Sequence, residues 1–443
     1  MLPWLLLLFL GSGCAALIYE IVWLQLLQLV IGLTTVSLGV LLGTFMGGMC
    51  LGSLLLPRLI SARPNPLRVY AALEVGIGII GIAVLFVLPY VVQIYTASAR
   101  PGGVGIFLRA AVAAVCLLPP TLLMGATLPA ISRWVEATPQ GVSWLGFFYG
   151  GNIVGAVLGC LLAGFYLLRV FDMATATYVA AAINGVVALA ALGLAYLTRR
   201  PYQPATPSDG TGNRERALTD CEIRITTDAN HPILPRGPTS SQPAPGSPSD
   251  VEENKEKRPA DSWAVYATIA LSGLTALGAE VVWTRLLSLI LGATVYTFSI
   301  ILAVFLIGLG FGSSVGSFLS RWAARPRIAL GFCQILLTAA VAWTAYMIAH
   351  SLPYWPIDPS ISRSPWFNFQ LDLARCLWAL LPGTVLWGAS FPLALAAVAS
   401  RHDDPGRLVG RVYGANTVGA ILGALGFSLL LIPWLGTQGS QRV

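Results

Sequence analysis

Three sequence blocks occur twice in this chain, in the same order in its two halves. The pairs are SGCAALIYEIVWLQLLQLVIG (12–32) with SGLTALGAEVVWTRLLSLILG (272–292), LPPTLLMGATLP (118–129) with LPGTVLWGASFP (381–392), and YGGNIVGAVLG (149–159) with YGANTVGAILG (413–423). The shared positions include polar residues as well as apolar ones, so chance similarity between apolar stretches does not explain them. The pattern indicates a duplicated structural unit, which is typical of membrane transporter folds.

The composition excludes a soluble domain. The chain is 56% hydrophobic and 10% charged, with a mean hydropathy of +0.75, whereas soluble domains carry about 25% charged residues. Apolar runs of about 20 residues, long enough to cross a bilayer, recur along the chain. The net charge of +7 does not indicate nucleic-acid binding, because the arginines lie between apolar runs, where they meet lipid head groups.

The order of the apolar runs predicts an all-α polytopic membrane protein with two parallel six-helix repeats, resembling the major facilitator superfamily. Residues 1–200 form the N-terminal repeat and residues 262–443 the C-terminal repeat. Residues 201–261 form a polar, disordered linker. The predicted helices are 3–31, 34–56, 68–95, 105–134, 144–168 and 174–198 in the first repeat, and 263–291, 294–319, 328–350, 370–399 and 408–434 in the second.

The second repeat lacks a counterpart of the sixth predicted helix. A duplicated unit is expected to be whole, so the sequence predicts a truncated product, and an eleven-helix protein is the alternative. The apolar N-terminus has no basic region before it and continues to Ile31, and its counterpart in the second repeat is internal. It is therefore predicted to be an uncleaved first membrane helix and not a signal peptide.

Loop arginines predict the orientation. If the helices alternate, one side of the membrane holds most of them, and the positive-inside rule places that side in the cytoplasm. These residues are Arg58, Arg63, Arg68, Arg133, Arg199, Arg200, Arg321, Arg325, Arg327, Arg401, Arg407 and Arg411. The N-terminus and the linker are thus expected in the cytoplasm, and the protein in the inner (plasma) membrane.

Glu20 and Glu280 are the strongest candidate ligand-binding residues. They occupy the same position in the two repeats, well inside a membrane helix, and each is followed three residues later by a tryptophan, Trp23 or Trp283. A carboxyl group at that depth must be protonated, paired or in contact with water. The functional interpretation is a site for a proton or a cationic ligand near the pseudo-twofold axis. The structural interpretation is a neutral acid that hydrogen-bonds a neighbouring helix. Arg285 favours this interpretation, because it could pair with an acid on a neighbouring helix.

Three further polar residues are candidates. Glu74 lies in the third helix, where it is either solvated at the interface or a second site carboxylate, and Gln334 matches it in the second repeat. Asn152 and Asn416 match each other in the third block. An Asn in a membrane helix most often hydrogen-bonds a neighbouring helix, and ligand contact is the alternative.

The remaining motifs are interpreted as structural. Glycines every fourth residue predict close helix packing, and prolines in the second block predict kinks or breaks in the fourth and tenth helices. The glycine triplets are Gly39, Gly43 and Gly47; Gly151, Gly155 and Gly159; and Gly308, Gly312 and Gly316. The seven cysteines form no CxxC pair, so neither a disulfide framework, a metal site nor a cofactor is predicted.

The three duplicated blocks resemble the membrane region of bacterial fused proteins that join a major-facilitator-like part to a spermidine-synthase-like part. The resemblance covers both membrane halves. It implies a cytoplasmic aminopropyltransferase-like domain after the last helix. The chain has no strand–glycine loop–helix unit, so no catalytic residue is assigned, and whether the protein is part of an enzyme is left open.

Three functional hypotheses follow. The first is the membrane part of a spermidine-synthase-like protein, which binds or passes a small cation such as a polyamine or anchors the catalytic domain. The second is a stand-alone secondary transporter, and the third is a structural subunit of a membrane complex. The expected partners are the bilayer, a small cation, and a cytoplasmic catalytic domain or membrane protein, but no nucleic acid.

Overall fold

Every regular element described in this protein is helical. The computed structural model describes residues 2–31, 34–59, 65–96, 103–135, 141–198, 262–355, 364–399 and 405–442. Eleven helices within them are long and apolar enough to cross a membrane, which confirms the predicted all-α polytopic architecture. The linker 201–261 lies outside the described residues, as do the loop arginines Arg63, Arg199, Arg200 and Arg401.

The first half contains six helices in its described part. They are α1 (Leu2–Ile31), α2 (Thr34–Leu59), α3 (Pro66–Thr96), α4 (Gly103–Val135), α5 (Gly141–Leu162, a π-helical turn at Ala163–Leu167 and Leu168–Val170) and α6 (Met173–Leu197). Asp172 caps α6, because its side chain accepts a hydrogen bond of 2.8 Å from the main-chain N–H of Thr175. This bond lowers the pKa of the exposed Asp172 carboxyl.

The second half contains five helices in its described part. They are α7 (Ser262–Leu291), α8 (Val295–Trp322), α9 (Pro326–Tyr346, followed by a π-helical turn at Met347–Ser351 and a 3₁₀ turn at Leu352–Tyr354), α10 (Pro365–Val398) and α11 (Pro405–Gly426, a π-helical turn at Phe427–Leu431 and Ile432–Arg442). Thr294 and Ser364 cap α8 and α10 through their side-chain oxygens.

The two halves pack their helices in the same way. In the first half α1 packs on α5, and in the second α7 packs on α11. A Cβ atom added at Gly155 of α5 would collide with the main-chain oxygen of Leu10, and one added at Gly419 of α11 with that of Ala270. These glycines let the helix backbones approach closely, as their spacing predicts.

A second pair of equivalent contacts joins α2 to α4 and α8 to α10. Gly48 lies against the side chain of Thr121, and Gly308 lies against that of Thr384. Both α4 and α10 remain helical through their internal prolines, which are Pro119, Pro120, Pro129, Pro382 and Pro392. The prolines therefore do not break these helices, contrary to one of the two outcomes considered from the sequence.

The two halves contact each other mainly through α2 with α11 and through α5 with α8. Gly39 of α2 lies against the Ser428 side chain of α11, and Gly164 of α5 lies against the Ser299 side chain of α8. Both contacts involve the π-helical turn of α5 or α11, a feature often found at functional sites. In both contacts the first half supplies the glycine and the second half supplies the serine. The two contacts therefore occupy equivalent positions, but the two halves contribute different residues to them.

Candidate functional site

Glu20 and Glu280 lie in the interior of the protein, near enough for their carboxyl groups to influence each other electrostatically. Glu20 lies on α1 and Glu280 on α7, and each residue is only 4% exposed. The two carboxyl groups lie within range of electrostatic interaction with each other. Among the described residues, the Oε1 atom of Glu280 has no hydrogen-bond partner. We refer to Glu20 and Glu280 as the axial carboxyl pair.

Two residues that the sequence analysis did not select complete the surroundings of this pair. Cys160 on α5 is fully buried and lies within electrostatic range of both carboxyl groups. Its Sγ atom donates a 3.2 Å hydrogen bond to the main-chain oxygen of Ser299 on α8. The Ser299 hydroxyl is also buried, and it has no hydrogen-bond partner in the described part of the chain. The region around the pair therefore draws on four helices, two from each half.

Weak sequence signals for Cys160 and Ser299 were available. Cys160 directly follows the third duplicated block, and Ala424 stands at the corresponding place in the second half. Ser299 of the second half stands at the position that Gly39 occupies in the first half. In both cases the two halves carry different residues at corresponding positions, and both residues lie at the interface between the halves.

Burial limits the charge states that the axial carboxyl pair can adopt. Two buried carboxyl groups close to each other are stable only when at least one is protonated or when a cation lies between them. Binding of a proton or a cation at this pair stays a prediction.

The tryptophans beside the pair lie in the helix-packing core. Trp23 and Trp283 are each 1% exposed. The Trp23 ring stacks on Tyr19 at a centroid distance of 5.4 Å, and Trp283 lies 5.3 Å from Trp387. These contacts are those of packed core side chains, so direct contact of either tryptophan with a ligand stays a prediction.

The two asparagines occupy equivalent packing positions. The main-chain oxygen and the Oδ1 atom of Asn152 lie beside Gly13, and those of Asn416 lie beside Gly273. Asn152 thus joins α5 to α1 in the first half, and Asn416 joins α11 to α7 in the second. This arrangement favours the packing role, and ligand contact by either asparagine is not supported by a described contact.

Glu74 is separate from the axial pair and is completely buried at 0% exposure. Its Oε1 atom accepts a 2.7 Å hydrogen bond from the Ser12 hydroxyl. The solvated interfacial position considered from the sequence is therefore wrong. The second alternative, a site carboxylate, stays a prediction.

A buried ion pair on α10, between Arg375 and Asp372, was also missed from the sequence. The Nη1 atom of Arg375 donates to Oδ1 of Asp372 at 3.3 Å, and the Tyr296 hydroxyl donates to Oδ2 of Asp372 at 3.5 Å. Phe165 of the first half packs beside this group, 4.7 Å from Tyr296 and 4.8 Å from Phe369. The group therefore stabilises a contact between the two halves.

Replacing Arg375 by Gln is expected to destabilise the protein by about 1–3 kcal/mol, because the mostly buried Asp372 loses its cation. Thermal unfolding in detergent measures the effect. The double variant Arg375→Gln with Asp372→Asn should recover part of the loss, since it removes both charges. Equal melting temperatures for wild type, single variant and double variant would show that the pair contributes nothing. Arg321→Gln, at an exposed position, is the control.

A family model agrees with this architecture. The model described as Major Facilitator Superfamily matches residues 120–427, which is more than half of the chain. The chain belongs to the Major Facilitator Superfamily. The transporter-like fold expected from the duplicated blocks is thereby confirmed.

Solved structures of this superfamily show the same fold at low sequence identity. A bacterial homolog of the human lysosomal transporter Spinster matches with a TM-score of 0.58 and 15% identity, over 98% of this chain and 82% of that one. The nucleoside transporter NupG, as its D323A mutant, matches with a TM-score of 0.55 and 14% identity, over 100% of this chain and 95% of that one. At these identities the likeness concerns the fold alone.

Two curated relatives match part of the sequence. Polyamine aminopropyltransferase 2 of Streptomyces coelicolor is 29% identical over 207 residues, which is 45% of this chain and 35% of that protein. Polyamine aminopropyltransferase of Corynebacterium efficiens is 25% identical over 196 residues, 42% of this chain and 34% of that protein. The match thus covers about a third of the length of each curated relative.

Proposed function

We propose that this membrane protein binds a small organic cation such as a polyamine at the axial carboxyl pair and passes it across the membrane. The observation that carries the proposal is that Glu20 of the first half and Glu280 of the second are both buried and lie within electrostatic range of each other. In transporters built from two repeats, substrate sites lie at the interface between the repeats. The fold and the position of the pair thus support the same assignment.

A polyamine fits the pair better than an anion or a neutral solute does. Its spaced ammonium groups can neutralise two carboxylates at once, which removes the cost of burying both charges. Both partial relatives are named polyamine aminopropyltransferases, which supports the same ligand class.

The partial match supports a second candidate function. Both curated relatives are aminopropyltransferases by name, and the matched segment is about a third of each. A membrane part that holds an aminopropyltransferase-like domain at the membrane is consistent with that match. Aminopropyltransferase activity of the protein expressed from its native gene, together with an absence of polyamine flux, would favour anchoring over transport.

Binding and flux of radiolabelled spermidine test the proposal. The purified protein in nanodiscs should bind spermidine saturably, and proteoliposomes should accumulate it faster than protein-free liposomes. Glutarate, a dicarboxylate, is the matched control and should neither bind nor compete. Absence of saturable spermidine binding, or equal competition by glutarate, would exclude the axial pair as a polyamine site.

The predicted orientation has its own test. We expect the linker 201–261 to be cytoplasmic, because the arginines of the predicted loops on its side outnumber those on the other. Trypsin should cleave the linker in inside-out vesicles and leave it intact in right-side-out vesicles. The reverse pattern would reject the orientation, and vesicles opened with detergent control for cleavability.

A further inference from the structure

A groove lies between α2 and α4 of the first half and α11 of the second. Its volume is about 360 Å³, within the range of pockets that bind small ligands, about 300–1,000 Å³. We call it the lateral groove and define it by five of its lining residues. They are Gly43 and Gly47 of α2, Ala114 and Val115 of α4, and Leu429 of α11. The groove therefore lies at one of the two main contacts between the halves, that of α2 with α11.

The lateral groove opens to the hydrocarbon of the bilayer. Its five defining residues belong to helix segments that are long and apolar enough to cross a membrane, and Val115 is 70% exposed on the outside of the helix bundle. Among the described residues that line the groove, Thr44 has the one polar side chain and none is charged. The bilayer core supplies no water, and apolar cavities stay dry. The groove therefore fits an apolar group from the bilayer.

Gly47 is not required for close packing of α2 on α11. A Cβ atom added at Gly47 would lie 3.5 Å from the Cδ1 atom of Ile421 on α11, which is an ordinary van der Waals distance. At Gly39, two turns earlier on α2, an added Cβ atom would collide with the Ser428 side chain. The glycine spacing predicts close packing at both positions, but only Gly39 has it. Gly47 instead leaves room beside α11, and this room is part of the lateral groove.

The second half carries larger side chains at the positions that correspond to the lateral groove. The equivalent contacts of α2 with α4 and of α8 with α10 fix the register of the comparison. Ile307 corresponds to Gly47, Leu377 to Ala114, Trp378 to Val115, and Phe165 of α5 to Leu429. The shared fold therefore does not require small residues here. At the corresponding place, the chain's own aliphatic and aromatic groups supply the apolar volume.

We propose that the lateral groove binds one acyl chain of a membrane phospholipid. Acyl chains surround the protein at this depth, and a flexible row of methylene groups gains dispersion contacts with the walls that all three helices provide. Because α2 and α4 belong to one half and α11 to the other, the bound chain contacts both halves and stabilises their interface. The inference does not depend on the proposed function, since no groove residue belongs to the axial carboxyl pair.

Photolabelling of the purified protein in maltoside detergent tests the proposal. The protein is titrated with a phosphatidylcholine that carries a photoreactive diazirine in one acyl chain, and labelled peptides are identified by mass spectrometry. Labelling of α2, α4 and α11 at the groove should saturate at one lipid per protein. Unlabelled phosphatidylcholine should compete. Glycerophosphocholine, which has the same head group but no acyl chain, should not.

Two variants fill the groove with residue types found in the second half. Gly47→Ile introduces the residue type of Ile307 and should weaken lipid binding by about tenfold or more. Gly185→Ile is the matched control, because it adds the same side chain on α6 where an added Cβ atom meets nothing within 4 Å. It should label like the wild type. If Gly47→Ile does not fold, Ala114→Leu, which fills the groove from α4, decides.

Several results would overturn the proposal. They are labelling of the groove peptides that does not saturate, equal competition by glycerophosphocholine, and wild-type labelling in both groove-filling variants. A wild-type dimer in light scattering that both variants dissociate would also overturn it, since a second copy of the chain would then cover the groove. Spermidine binding is measured separately on the same variants, so failure here is distinguishable from failure of the proposed function.

Discussion

Replacing Glu20 or Glu280 by Gln is expected to weaken spermidine binding by about 10- to 100-fold while the protein stays folded. Gln keeps the size and hydrogen-bonding capacity of Glu but removes its charge. A hydrogen bond to a charged group contributes about 1.5–3 kcal/mol, and each 1.4 kcal/mol corresponds to about a tenfold change in affinity. Equilibrium binding of labelled spermidine in nanodiscs measures the change.

Two control variants separate a binding role from a structural one. Glu74→Gln removes a buried carboxyl group outside the axial pair and should leave spermidine affinity unchanged. Arg285→Gln tests whether this arginine holds the pair in a structural network. Full spermidine affinity in both axial variants would exclude the carboxyl groups as ligands. A large loss of thermal stability, in the axial variants and in Arg285→Gln alike, would favour the structural interpretation.

Adding a single methyl group at Gly155 or Gly419 is expected to destabilise the protein strongly. The new Cβ atom would collide with the main-chain oxygen of Leu10 in one case and of Ala270 in the other, and a backbone atom cannot move aside as a side-chain tip can. Overpacking costs about 1–3 kcal/mol per site, so the double variant Gly155→Ala with Gly419→Ala should lose about twice that. Thermal unfolding followed by size-exclusion chromatography measures it.

Glycines without neighbours provide the matched control. A Cβ atom at Gly185 of α6 or at Gly414 of α11 meets nothing within 4 Å. Gly185→Ala and Gly414→Ala should therefore be neutral or stabilising, by about 0.5–1 kcal/mol, because Ala loses less conformational freedom in a helix than Gly does. If all four substitutions have the same effect, close backbone approach is not what these glycines provide.

Much of the architecture was predictable from the sequence. Apolar runs long enough to span a bilayer determine the helices, and the boundaries predicted from them agree closely with α1, α6 and α7. The duplicated glycine blocks also predict close packing, because a glycine every fourth residue lines one helix face. The equivalent contacts of Gly155 and Gly419 follow from that pattern.

The candidate site was predictable only in part. A carboxyl group deep in an apolar helix is conspicuous, so Glu20 and Glu280 stand out from sequence alone. Cys160 and Ser299 do not, because cysteine and serine are common in apolar helices and nothing local shows that they face the other half. The position of Glu74 in its helix did not show whether its side chain is solvated or buried. It is buried because α1 and α6 pack against it.

Hydropathy and repetition are local properties of the chain, so the sequence alone predicts which segments span the membrane and that they form two copies of one unit. Which polar groups lie near one another depends on how the helices pack. The axial carboxyl pair consists of residues far apart in the sequence, and the hydrogen bonds of Glu74 with Ser12 and Asn184 join three helices. The direction in which a helix presents a side chain depends on which neighbours its small residues admit, and that is settled only when the helices pack.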